Sequence, residues 1–225
     1  MSDAHSAEQG NQYVSFQYEL VRKGIHMVSL SIPVLYYFIS KELALSILVP
    51  LTVLFVVADV LRSYHAPSFV LYERIFGRML RPHEKTLQKK TLNGASWVLI
   101  SATFCVLVFP KLITITAFAI LIISDTTAAL VGRRFGTKKF NDKTLEGSTA
   151  FVLSAFVVIL FTPKVAHAPA EYLIACISAI IGALAEVFSF DIIDDNFAIP
   201  VSIGAALWLL YAIFLPEMNI HLLDS

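Results

Sequence analysis

Charge is scarce in this sequence. Asp, Glu, Lys and Arg make up 15% of its 225 residues, where a soluble domain keeps about a quarter. That shortage excludes a water-facing globule. With 57% hydrophobic residues and a mean hydropathy of +0.72, it places the chain in a membrane. Cysteine is nearly absent as well. Cys105 and Cys176 are the only two, both inside apolar runs where a free thiol packs as a small hydrophobe, so no disulfide framework or zinc pattern can be built. Strand-like alternation, internal repeats and low-complexity tracts are lacking. A small-residue cleavage site is lacking too. The first apolar run begins after Arg22-Lys23, carries His26 and Pro33, and therefore reads as an uncleaved span rather than a signal peptide.

What is there is long apolar runs. A spanning helix needs about 20 mostly apolar residues, and seven stretches approach this: 22–39, 43–61, 92–109, 112–131, 147–162, 171–188 and 197–215. The expected fold is an all-α integral membrane protein of about seven transmembrane helices. A polar tail (1–20) precedes one transmembrane catalytic domain (21–216), and a short tail (217–225) follows. Residues 64–81 carry Phe69, Tyr72, Ile75, Phe76, Met79 and Leu80 at helical spacing, with Glu73, Arg74, Arg78 and Arg81 between them. This predicts an amphipathic helix lying on the cytoplasmic interface between the second and third spans. With seven spans, fourteen of the seventeen Lys and Arg residues fall on the side of the N-terminus; Lys41, Lys111 and Lys164 fall on the other. Cytoplasmic loops are enriched in positive residues, so the N-terminus is expected in the cytoplasm.

The remaining charges cluster. Ionisable residues within spans are costly and mark function. Asp59, Asp125 and Glu186 fall near the inner ends of their spans, Glu19, Arg22, Lys23 and His26 open the first, and Asp191, Asp194, Asp195 and Asn196 occupy the last inner loop. A pore or proton relay would spread such groups through the full thickness. One-sided clustering favours an interfacial site open to cytosol and lipid. Between Asp125 and Glu146 lie five cations and three carboxylates within 22 residues. Carboxylates can engage Mg²⁺ together with substrate phosphates. Lys143, Arg133 and Arg134 can neutralise phosphate. Gly132 and Gly136 permit close backbone approach, and the helix start near Lys143-Thr144 offers amides to an anion. This is no Walker loop, because Asp142 precedes Lys143-Thr144 and no strand leads into it. Gly132 and Gly136 alone could equally serve helix packing, and Asp59 could pair with Arg62.

The joint pattern Asp125…Gly132-Arg133-Arg134-Phe135-Gly136…Lys143-Thr144-Leu145-Glu146-Gly147 resembles the core motif of the membrane polyprenol kinase group: dolichol kinase, phytol kinase and CTP-dependent diacylglycerol kinase. Glu19 to His26 resembles the group's E-x-x-R-K-x-x-H opening, Thr91-Leu92-Asn93-Gly94-Ala95 its entry to the third span, and Glu186 followed by Asp194 to Pro200 its acidic loop. The likeness spans about residues 19–205. Phosphatidate cytidylyltransferases share the central segment but usually end in a longer signature that is missing here. The resemblance implies a kinase that passes the γ-phosphate of a nucleoside triphosphate, CTP with ATP as second candidate, to a polyprenol, phytol or diacylglycerol hydroxyl. It implies Mg²⁺ on Asp125, Glu146, Asp194 or Asp195. Phosphates would be held by Arg133, Arg134, Lys143, Thr144 and Asn196 with Gly132 and Gly136, and the hydroxyl proton would pass to Asp125 or His26. Arg22, Lys23, Asn93 and Glu186 would support the site or the lipid. The expected partners are the lipid alcohol, the nucleotide and membrane lipids, with no nucleic acid. Cytidylyl transfer and multi-pass transport are the alternatives.

Overall fold

The computed structural model describes residues 19–64, 92–140, 143–188 and 194–224. The amphipathic helix expected over 64–81 lies almost wholly outside them. The described chain is helical apart from one short ribbon. In order the helices are α1 (residues 19–28), α2 (Ser31–Phe38), α3 (Lys41–Tyr64), α4 (Gly94–Val108), α5 (Lys111–Phe135), α6 (Leu145–Phe161), α7 (Pro169–Phe188) and α8 (Asp195–Phe214).

Four of these, α3, α5, α7 and α8, are long and apolar enough to cross a membrane; α4 and α6 are apolar but shorter. The first apolar run is not one helix. Pro33 has no N–H to offer the carbonyl of Ser29, and the Ile32 amide takes that carbonyl instead (2.9 Å), so α1 and α2 meet at a turn. Nor is the chain helical throughout. Lys139–Phe140 (β1) pairs antiparallel with Lys143–Thr144 (β2), Phe140 opposite Lys143, in the connection from α5 to α6.

The central helix is α5, packed by α2, α6 and α8. Ile113, Phe118, Ile120, Leu121 and Ile122 on it are fully buried. Around it, α3 turns Ile47, Val53 and Leu54 outward, α6 turns Leu153, Val157 and Leu160, and α8 turns Leu209 and Ile213. So much exposed apolar surface fits lipid, not water.

Polar side chains tie the helices together at the end bearing Lys41, Lys111 and Lys164. Lys111 Nζ donates to the carbonyl of Ile39 (2.8 Å) and Lys41 Nζ to that of Leu107 (3.0 Å). Glu171, fully buried, accepts from the amides of Val165 (2.7 Å), Ala166 (3.0 Å) and Ala168 (2.9 Å) and from the Tyr211 hydroxyl (2.9 Å). Asp224 accepts from the first amide of α5, at Lys111 (2.8 Å), which folds the C-terminal tail back onto the bundle.

Candidate active site

At the opposite end, residues distant in sequence converge. Positions 19, 22, 23 and 26 share one face of α1, and that face lies along α5. Lys23 Nζ donates to Asp125 Oδ2, with both side chains buried, and His26 Nε2 stands 3.5 Å from the same oxygen. One turn back, Glu19 accepts from Arg22 and lies 3.1 Å from the Arg133 guanidinium, near the end of α5. From sequence, Glu19 is one of the charges that open the first span and part of the opening motif. Its placement three residues before Arg22 was the available sign of a bridge.

A second cluster forms around Lys143. Its Nζ donates to Glu186 Oε1 on α7 (3.1 Å) and to Asp195 Oδ2 in the first turn of α8 (2.6 Å). Burial pulls the Lys143 amine down, but Glu186, Asp195 and Asp125 together more than offset it, so its affinity for a proton is raised and it stays charged. Asp194 caps α8: its Oδ1 accepts from the Asn196 amide (3.0 Å) and the Asn196 side chain (2.6 Å). A Cβ on Gly94 would stand 3.5 Å from Asn196 Nδ2, which puts the start of α4 at the same level.

Asn93 caps α4 by accepting from the Ser96 amide (2.8 Å). The buried carboxylate of Asp59 on α3 accepts from the Asn93 amide and side chain (2.9 Å each) and from the Ser96 hydroxyl (2.6 Å). Asp59 thus fixes α3 to the start of α4. Periodicity gave no hint of this, since Asn93 is 34 residues away.

The glycines of the central motif meet the protein itself. A Cβ on Gly132 would approach Thr144 Oγ1 to 2.7 Å, and one on Gly147 would approach the Ala128 carbonyl to 2.9 Å. They form the joint where α5 and α6 cross, and Thr144 caps α6 by accepting from the Gly147 amide (3.1 Å). Glu146 accepts from the Thr137 hydroxyl (2.5 Å) and the Lys138 amide, so it shapes the loop after Gly136. Arg134 is exposed, its guanidinium 5.5 Å from the centre of the Phe135 ring. Asp125, Glu146, Asp194 and Asp195 therefore do not form one cage. Among the described residues no three acidic, histidine or cysteine side chains make a group able to hold a metal ion. The donors do fit an ion that arrives on a triphosphate, because magnesium usually takes one or two protein carboxylates and keeps phosphate and water for the rest.

No family model matches the chain, and no solved structure does. Curated proteins do. A Rickettsia prowazekii protein, "Uncharacterized protein RP860", is 30% identical over 188 residues, covering 83% of this chain and 92% of its own. The "CTP-dependent diacylglycerol kinase 1" of Schizosaccharomyces pombe is 31% identical over 166 residues, 68% of this chain and 74% of its own. This chain belongs to the CTP-dependent diacylglycerol kinase family. The Saccharomyces cerevisiae protein of the same name is 28% identical over 210 residues, 82% of this chain and 71% of its own. The chain is accordingly a CTP-dependent lipid kinase.

Proposed function

We propose that this kinase transfers the γ-phosphate of CTP to the hydroxyl of diacylglycerol, at a site on the cytoplasmic side of a bundle of about seven spans. The observation that carries the reading is the Lys143 amine, held between Glu186 and Asp195 and within the influence of Asp125. Phosphoryl transfer asks a protein mainly for positioning and charge stabilisation. Lys143 holds the β- and γ-phosphates, and Arg133, tied to Glu19, and Arg134 take the outer oxygens. Asn196, at the start of α8, orients one phosphate. Asp125, fixed by Lys23 and flanked by His26, receives the hydrogen of the acceptor hydroxyl. Magnesium arriving with the nucleotide would engage Asp125 and Asp195 and screen the charge of the phosphates. Glu146 and Asp194 shape the surrounding loops.

The names of the fungal relatives favour diacylglycerol over polyprenol and phytol. The test is a product assay with purified protein, γ-labelled CTP and a panel of diacylglycerol, polyprenol and phytol. The expected result is labelled phosphatidate with release of CDP, and little transfer to the prenols. Pyrophosphate release with a cytidylyl-lipid product, or preferential labelling of a prenol, would overturn the proposal.

A further inference from the structure

Ionisable groups within spans are costly and mark function. Asp59 on α3 is 1% exposed, and the transfer proposed above gives it no task. Three hydrogen bonds reach its carboxylate from one place, the start of α4: from the Asn93 amide and side chain (2.9 Å each) and from the Ser96 hydroxyl (2.6 Å). Other bonds hold α3 to α4 further along. Thr52 Oγ1 donates to the Leu99 carbonyl (3.2 Å) and meets Thr103 Oγ1 (2.8 Å), and Lys41 reaches the Leu107 carbonyl (3.0 Å). The pairing of the two helices therefore does not depend on Asp59. What Asp59 adds is the placement of Asn93 and of the turn that Asn93 caps. A carboxylate suits this task, because its two oxygens accept all three donors, whereas an amide offers one oxygen and brings donors of its own. Its charge also faces the positive end of the α4 dipole.

That turn is the wall against which α8 starts. A Cβ on Gly94 would stand 3.5 Å from Asn196 Nδ2, so the backbone of α4 borders the Asn196 carboxamide. The Phe197 ring, next along α8, lies 6.1 Å from the Trp97 ring and 5.4 Å from the Phe104 ring, both on α4. The same turn of α8 carries Asp195, which accepts from Lys143 (2.6 Å). A shift at the start of α4 is thus passed to the turn of α8 that faces the phosphates in the proposed site.

We infer that Asp59 is a positioning residue for the nucleotide: it sets the start of α4 and, through Gly94, the orientation of the Asn196 carboxamide. Asp59 needs no contact with substrate to do this. The inference rests on the phosphate role proposed for Asn196 and extends it to a residue of α3. Asp59→Asn would turn an amide towards the Asn93 amide, two donors face to face, and release Asn93. Adding Asn93→Asp restores an acceptor opposite that donor and keeps the cap of α4, since Asp caps a helix as well as Asn does.

The experiment compares KM for CTP and KM for diacylglycerol among variants of the full chain purified in one detergent. Asp59→Asn is expected to raise KM for CTP about tenfold, the worth of one hydrogen bond to a charged group, with KM for diacylglycerol unchanged. A smaller folded fraction would lower the rate and move neither constant. With Asn93→Asp added, KM for CTP should return to within about threefold of the wild type. Asn196→Ala should raise KM for CTP by itself, and Asp59→Asn should add nothing further to it. If Asp59→Asn does not fold, Ser96→Ala removes one of the three donors and should raise the same constant about threefold. An unchanged KM for CTP in Asp59→Asn or Ser96→Ala, a rise that Asn93→Asp fails to reverse, or effects of Asp59→Asn and Asn196→Ala that multiply would overturn the inference and leave the proposed function standing. An unchanged KM for CTP in Asn196→Ala would overturn the phosphate role of Asn196 and the inference with it.

Discussion

Single residues divide into those whose role shows in sequence and those whose partner does not. Asp125 and Lys143 stood out because an ionised group beside an apolar run is costly. What neutralises Asp125 was not legible, because Lys23 is 102 residues away, and pairing across such a distance follows only from how α1 packs on α5. Lys164 shows the same thing at the other end of the bundle. Its amine is buried, donates to the carbonyls of Ile159 (2.8 Å) and Thr162 (2.9 Å) and stands 5.0 Å from the centre of the Tyr172 ring. Burial pulls it down to about 8, against the pull of Glu171 in the other direction. A folded-state value below the unfolded one means the unfolded chain binds more protons between the two. Stability should therefore rise as pH climbs from about 8 towards the ordinary lysine value of about 10.4. Thermal midpoints of the wild type across that window should rise more than those of Lys164→Met; parallel curves would contradict this assignment.

At the scale of elements, the apolar runs located the helices because a backbone in hydrocarbon must bond to itself. Two features escaped that argument. Pro33 breaks the first run through a single missing N–H, too local for a hydropathy window to register. The β1–β2 ribbon is too short to show an alternating pattern and is closed by the Leu145 amide donating to the Lys138 carbonyl (2.9 Å), a closure that depends on where α6 begins. The glycine spacing was legible as close approach, but not what approaches. A Cβ on Gly136 would fall 2.2 Å from the Gly132 carbonyl and 2.5 Å from Thr144 Cγ2, whereas one on Gly24 meets nothing within 4 Å. Gly136→Ala should destabilise the protein by about 1–3 kcal/mol through overpacking. Gly24→Ala, in a helix, should be neutral or stabilise by up to about 1 kcal/mol. Denaturation of the two variants in the same detergent decides it, and equal stability would show that the α5–α6 joint is looser than described.

For the whole molecule, composition pointed to the membrane class, and the clustering of charge read from the sequence matches the meeting of Lys143, Glu186 and Asp195 at one end of the bundle. On the proposed function, segments as far apart as α1, α5, β2, α7 and α8 form one catalytic pocket. The most direct measurement is the rate of phosphatidate formation by Asp125→Asn, Lys143→Ala and the double variant, each first shown to melt as the wild type does. Groups that act as a unit in one transition state lose activity without adding. Each single variant should fall by about 100-fold or more, with the double variant close to the lower single. A single variant that keeps most of its activity, or losses that multiply in the double variant, would rule out a shared pocket.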